Sequence, residues 1–408
     1  MPAPEPLHFP LVDSSYDNQE IISCMATLLS GQLTMGAKVR QFEEQFAAYC
    51  GARYAVMVNS GSSANLLALS VLTNPLRRVH LRPGDKVAVP AVCWSTSLWP
   101  VIQTGLVPVL VDVDPGTLNL SIPSLQAALR QHDLKAVLMV HVLGNSTELP
   151  ALLEIVDRHG LLLMEDTCES LGTTYDGRML GTLGSFGTFS FYFSHHMTTI
   201  EGGMVLAETD QDYDLLKCLR AHGWSREQSN RAELERANSH IDPRFLFVNV
   251  GYNLRPMEIQ AAFGLEQLKR LDEMNRQRRA NVQRIRAAFA RHPRWRGQLQ
   301  FPEATKQLDA CWFGFPFLVD PALDIDYRKF TTSLLRNGVD TRPIVSGNMA
   351  LQPAVKHFGI ELGMGPFTGA QAVHDRGLFI GCHARALPED TITRLVDLIL
   401  GCLLDSVR

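Results

Sequence analysis

The sequence predicts an α/β protein with a mostly parallel, helix-covered sheet and a smaller C-terminal α+β region. Three observations carry this. Compact apolar runs alternate with longer amphipathic stretches through the first 250 residues. The runs are almost continuously apolar, as strands covered on both faces are. Beyond about residue 295 the alternation gives way to mixed strand-like and helical runs.

In chain order, Tyr54-Ala-Val-Met-Val58 reads as a buried strand that stops at Asn59-Ser-Gly-Ser-Ser63, with a helix-compatible run over Ala64–Leu72. Lys86–Pro90, Val107–Asp112, Ala136–Val142 and Leu161–Asp166 are further apolar strand candidates, and Ser121–His132 and Leu149–His159 lie between them as helices. A long helix is expected from Met257 to Ala290, with Leu265, Leu268, Leu271 and Met274 on one stripe. Its arginines Arg276, Arg278, Arg279, Arg284 and Arg286 are expected on a solvated face. Cys311–Val319 is expected as a strand, and Tyr327–Arg336 and Pro388–Leu404 as helices.

Composition narrows the function classes. In 408 residues, 46% are apolar and 20% charged, which excludes a disordered or collagen-like chain. With 38 basic against 42 acidic residues, net −4, no overall basic footprint points to nucleic acid. No run approaches the roughly 18 apolar residues of a membrane span. Met1-Pro-Ala-Pro-Glu-Pro6 lacks the basic-then-apolar pattern of a secretory signal, so a cytoplasmic protein is expected. The eight cysteines are scattered with no close pair, which reads as buried thiols in a reducing compartment and gives no sign of a metal or iron–sulfur site.

Four segments carry candidate chemistry. Ser60-Gly61-Ser62-Ser63, between strand and helix, presents amides at the positive end of a helix dipole, suited to a phosphate or simply to a helix cap. Glu165-Asp166-Thr-Cys-Glu169 ends a very apolar strand, where a carboxylate needs a cationic or hydrogen-bonding partner: a helix cap, a structural arginine or a protonated heterocyclic nitrogen. Phe189-Ser-Phe-Tyr-Phe-Ser-His195-His196 runs into Glu201-Gly-Gly203. On an extended chain adjacent histidines point to opposite sides, so at most one is expected to face a site, and no metal pair is expected. Gly251-Tyr-Asn253-Leu-Arg255-Pro256 reads as a helix-start turn.

The order of S-G-S-S-A, V-P-A-V-C-W-S-T, E-D-T-C-E-S-L-G, F-S-F-Y-F-S-H-H-M-T-T-I-E-G-G and G-Y-N-L-R-P resembles the DegT/DnrJ/EryC1/StrS-type sugar aminotransferases, which use pyridoxal 5′-phosphate. The resemblance runs from about Phe9 to the C-terminus. It implies the fold type I (aspartate aminotransferase-like) architecture, with 1–275 as a large cofactor-binding domain including the N-terminal segment and 276–408 as a small C-terminal domain.

One departure decides the reading. Where that family carries a lysine that bonds to the cofactor, counting from Ser190 puts His195, and none of the eight lysines lies in the motif. Histidine there resembles a small branch, the 4-keto-6-deoxyhexose 3-dehydratases, which work with pyridoxamine 5′-phosphate. The segments A-H-G-W-S-R, W-F-G-F, R-P-I-V-S-G-N and G-L-F-I-G-C-H are similar to that branch. The clustered cysteines of its iron–sulfur variant are missing.

The resemblance implies loss of the C3 hydroxyl from a nucleotide-linked 4-keto-6-deoxyhexose. GDP-4-keto-6-deoxy-D-mannose is the expected substrate, in colitose and lipopolysaccharide O-antigen synthesis, with L-glutamate regenerating the amine and ammonia released. The alternative is a nucleotide-sugar aminotransferase or a related enzyme on another keto-sugar.

His195 is implied as the base, its ordinary pKa of about 6.5 allowing it to take and return a proton near neutrality. Asp166 is implied to keep the ring nitrogen protonated, Trp94 to stack on the ring, Glu169 to meet its phenolic oxygen, and Gly61, Ser62 and Ser190 to hold the phosphate. Asn253 matches a residue that reaches the neighbouring subunit's phosphate, implying a homodimer with shared active sites. His222, Arg226 and Arg342 are candidates for the substrate pocket.

Overall fold

The structure, a computed structural model, describes residues 7–360, 362–363 and 365–408. Seven strands form its main sheet: β1 (Tyr54–Val58), β2 (Lys86–Pro90), β3 (Val107–Val111), β4 (Leu134–Val140), β5 (Leu162–Asp166), β6 (Phe186–Ser190) and β7 (Gly203–Ala207). Their order is β3-β2-β4-β5-β6-β7-β1. Neighbours pair in parallel except at β7, which is antiparallel to both β6 and β1.

Side chains alternate across this sheet because successive residues of a strand face opposite sides. Val87, Val89 and Leu138 pack with Leu67 and Leu98 on one face. Ala88, Val137 and Met139 pack with Leu125, Leu152 and Ile155 on the other. The covering helices include α3 (Gly61–Leu72), α4 (Ser95–Gln103), α5 (Ile122–Gln131) and α6 (Leu149–His159), preceded by α1 (Asn18–Ser30) and α2 (Ala37–Cys50) and followed by α7 (Asp210–Arg220). Truncating a buried leucine such as Leu138 to alanine is expected to cost about 2–5 kcal/mol.

Beyond them α8 (Glu258–Arg291) leads to a smaller antiparallel sheet of β8 (Leu299–Gln300), β9 (Gly314–Val319), β10 (Thr341–Pro343) and β11 (Gly377–Gly381), ordered β8-β9-β11-β10. Helices α9 (Tyr327–Arg336), α10 (Thr368–Arg376) and α11 (Glu389–Leu404) accompany this sheet. Phe330 and Leu334 of α9 and Ile392, Leu395 and Ile399 of α11 join the core that also holds Phe315, Phe317 and Ile380.

The differences from the sequence reading are local. α3 starts at Gly61 rather than Ala64, because the Ser60 hydroxyl accepts from the Ser63 amide at 3.1 Å and caps the helix there. β4 ends at Val140, since Val142–Gly144 closes into a short 3-10 turn with Leu143 at φ 52°. β9 begins only at Gly314. The long helix spans Glu258–Arg291, so the expected division at 275/276 falls inside it.

One expectation fails outright: Arg278 is not on a solvated face but only 6% exposed, because the small sheet and the His195 loop close over it. Among the described residues no helix is long and apolar enough to cross a membrane, and no three His, Cys, Asp or Glu side chains gather as a metal site.

Candidate active site

In an open α/β sheet, loops gather at the carboxyl ends of the parallel strands. Here the ends of β1, β5 and β6 and the loop after β2 meet around a cavity of about 380 Å³. Because β7 runs the other way, it begins at this same edge, which brings Glu201 to the cavity as well. The approach at the floor is tight: a Cβ on Gly61 would sit 2.5 Å from Ser190 Cβ, and one on Gly203 2.3 Å from the Ser60 carbonyl oxygen. Only glycine lets α3 start directly against β6 and β7.

Seven predicted residues converge here: Gly61, Ser62, Trp94, Asp166, Glu169, Ser190 and His195 all line the cavity. The first amides of α3, at Gly61 and Ser62, have no intrahelical acceptor and stand at the helix's positive end. Trp94, just before α4, leaves its indole 57% exposed, unusual for so large an apolar ring.

Asp166 is 4% exposed, yet its donors are all neutral: Asn65 Nδ2 at 2.7 Å, the Ser97 hydroxyl at 2.7 Å and the Cys168 amide at 3.1 Å. Asn65 is itself fixed by the Thr188 hydroxyl, which donates to its Oδ1 at 2.6 Å. A buried carboxylate without a basic partner, beside an open cavity, is matched to a cation that enters from outside. Glu169 accepts from the Leu143 amide at 2.9 Å. Burial, aided by the charge of Asp166, lifts its pKa to about 7 against that hydrogen bond, so its acid form is populated near neutrality.

β6 ends at Ser190, so the two histidines sit on a bent loop and not on a strand. Only His195 of the two lines the cavity. The His195 ring donates from Nδ1 to the Cys168 carbonyl at 2.8 Å, which assigns the proton to Nδ1 and leaves Nε2 as the basic atom, without a protein partner among the described residues. His196 is fully buried and reaches the Cys311 carbonyl from Nε2 at 3.0 Å.

The sequence reading of His195 needs one correction. Burial first, and the Arg278 guanidinium second, push its pKa down to about 3. In the cofactor-free protein it is therefore a committed neutral base near pH 7, not a group poised at mid-titration.

The remaining candidates lie outside this cavity within the single chain. His222 stacks edge-on against Trp224, with ring centroids 4.7 Å apart. Arg226 lies 3.9 Å over the Trp224 ring and, with Arg255 and Lys217, lines a separate groove of about 240 Å³. Asn253 is exposed and accepts from Arg255 Nε at 2.9 Å. Arg342 is exposed on β10, and from its loop Val345 alone lines the cavity. Sequence reasoning missed Asn65, Thr96, Ser97, Tyr192 and Glu201, all at the cavity. Thr96, Tyr192 and Glu201 lay inside the quoted motifs, whereas Asn65 and Ser97 fell just outside them and carried no signal.

The profile of the DegT/DnrJ/EryC1/StrS aminotransferase family matches residues 14–399. The chain is 37% identical to the GDP-4-keto-6-deoxy-D-mannose 3-dehydratase of Yersinia pseudotuberculosis over 385 residues, covering 94% of this chain and 96% of that protein. It superposes on the solved E. coli GDP-4-keto-6-deoxy-D-mannose-3-dehydratase with bound hydrated PLP at a TM-score of 0.89 and 36% identity, over 97% of this chain and 100% of that one. A structure of GDP-4-keto-6-deoxymannose-3-dehydratase with a trapped PLP-glutamate geminal diamine matches at a TM-score of 0.88 and 36% identity, covering 96% and 100%.

Proposed function

The chain belongs to the DegT/DnrJ/EryC1/StrS aminotransferase family, and from that premise we propose a 3-dehydratase of a nucleotide-linked 4-keto-6-deoxyhexose, GDP-4-keto-6-deoxy-D-mannose above all, that takes L-glutamate as amino donor and releases ammonia. The observation that carries it is His195: it stands where the family's bonding lysine would be, and no lysine among the described residues lines the cavity. The residues present fit the cofactor, since a helix N-terminus, an uncompensated buried carboxylate and an exposed indole surround one space.

When bound, pyridoxamine 5′-phosphate supplies the amine that joins the C4 ketone and a ring that takes up electrons as the C3 hydroxyl leaves. The chain does the rest. The amides of Gly61 and Ser62 and the Ser190 hydroxyl hold the phosphate end. Asp166, oriented by Asn65, Ser97 and the Cys168 amide, would meet the protonated ring nitrogen. Glu169, near half-protonated at neutral pH, donates to the phenolic oxygen. Trp94 covers one ring face. His195, fixed through Nδ1, takes a proton at Nε2. Imidazole offers no amine to compete for the cofactor, so the route to an aminated sugar through a lysine is closed.

The reading extends to a cytoplasmic homodimer, acting in colitose and O-antigen formation, with active sites completed across the interface. Two features support the dimer. Ile21, Ile22, Met25, Leu28 and Leu29 of α1 are exposed, as are Phe245, Phe247 and Val250, much exposed apolar surface for a single chain. Asn253, His222 and Arg226 lie outside their own chain's cavity, in the region of Phe247 and Trp224. Sedimentation at micromolar concentration tests it; a monomer would remove the shared site.

Supplying the GDP-linked keto-sugar with glutamate tests the activity. Ammonia and a 3-deoxy-4-keto product are expected, and an amino sugar formed without ammonia would overturn the reading. His195→Lys is expected to bond covalently to the cofactor, giving a new absorption band with loss of dehydration; an unchanged spectrum would mean the wrong residue was chosen.

A further inference from the structure

A buried charge is costly unless something opposes it. Arg278 of α8 is 6% exposed, and no ion pair joins it among the described residues. Its Nη1 donates to the carbonyls of Cys382 and, at 3.3 Å, Phe313. Nη2 reaches the His195 carbonyl at 3.4 Å, and Nε is buried without any partner among the described residues. Phe313 and Cys382 flank Gly314 and Gly381, which pair as the first residue of β9 and the last of β11. One guanidinium thus joins the end of the small sheet to the loop that carries the base. The Phe313 ring closes the same corner, edge-on to His195 with centroids 5.1 Å apart.

We infer that Arg278 is a positioning residue: it ties the His195 loop to the small sheet and places a positive charge behind the imidazole, so that the base stays deprotonated until a proton is delivered to it. The inference rests on the reading of His195 as the base. A structural tie alone would not call for a bare charge, since neutral donors can satisfy three carbonyls. The other groups facing His195 are His196 and Tyr192 from its own loop; Asp166, Cys168 and Glu169 after β5; Glu201 before β7; and Asp13 and His383 from the segments bounding the small cavity behind it. The carboxylates among them act against Arg278. Asp13 is engaged elsewhere, 3.8 Å from Arg385. Burial first and the Arg278 charge second lower the proton affinity of His195, and Arg278→Gln separates the two.

The test uses cofactor-free protein with isotope-labelled histidine, the His195 resonance being assigned by its loss in His195→Asn. Arg278→Gln keeps hydrogen-bond donors but removes the charge, and should raise the His195 titration by about one unit or more. Arg278→Lys should keep it near the wild-type position. The acid limb of kcat/KM should move up in the Gln variant and return in the Lys variant. An unmoved titration in Arg278→Gln overturns the inference. Should that variant not fold, a wild-type His195 titrating at the ordinary value of about 6.5 overturns it equally. Failure to dehydrate any keto-sugar would sink the assigned reaction instead and leave the titration result standing.

Discussion

Two arginines are buried among the described residues, in opposite company. Arg220, at the end of α7 beneath β1, is 1% exposed and meets Glu43 at 2.5 Å and Glu227 at 3.2 Å, with a further bond to the Met57 carbonyl at 2.8 Å. Burial opposes its charge, but the two carboxylates outweigh burial and hold it ionised. Arg278, beside the candidate base, meets only carbonyls. The first is a closed account of charges that links α7 to α2 and β1; the second leaves a positive charge without a carboxylate partner beside His195. What separates structure from function here is not burial or residue type but whether the charge is answered locally.

The comparison can be broken or sharpened in order of expected effect. His195→Asn should lower kcat/KM for dehydration by about 10²–10⁴-fold, the usual weight of a positioned base, while thermal stability stays near wild type. Ammonia release measures the first and calorimetry the second; retained activity would place the base elsewhere.

Glu43→Gln should do the reverse. It leaves Arg220 buried with only the half-exposed Glu227, costing about 3 kcal/mol in denaturant unfolding. The His195 titration should not move, and if it does the two regions are coupled.

Acid sensitivity comes next. With a folded pKa of about 3, His195 binds its proton more readily in the unfolded chain, whose value is about 6.5. Its contribution to stability is therefore complete above about pH 6.5 and is lost as pH falls from there toward 3, by at most about 1.4 kcal/mol per pH unit. Glu169 has the opposite sign, its contribution fading as pH rises from about 4.3 to about 7. The stability difference between His195→Asn and wild type cancels Glu169, and should turn in the variant's favour as pH drops below about 6.5.

Smallest is Trp94→Ala. Because that indole is already exposed, stability should change by no more than about 0.5 kcal/mol. Cofactor retention on dialysis should nevertheless weaken, and a large loss of stability would make Trp94 a core residue.

Local chemistry made much of this legible in the sequence. Unbroken apolar runs are read without knowing their neighbours, so β1 and β2 were located to the residue, and the amphipathic periods of α6 and α9 were recovered end to end. The order of motifs, and an imidazole in place of a lysine amine at residue 195, are likewise properties of the chain alone. Tertiary structure decided the rest, because periodicity marks a helix's apolar stripe but not what closes over its polar side. Arg278 and Arg276 look alike in the sequence, yet one is enclosed beneath β9 and β11 and the other pairs with Glu273 in solvent. The proton affinity of His195 likewise depends on burial and on a charge 83 residues away along the chain. Only folding places the two together, because electrostatic energy depends on distance through space and on how much water is excluded between the charges.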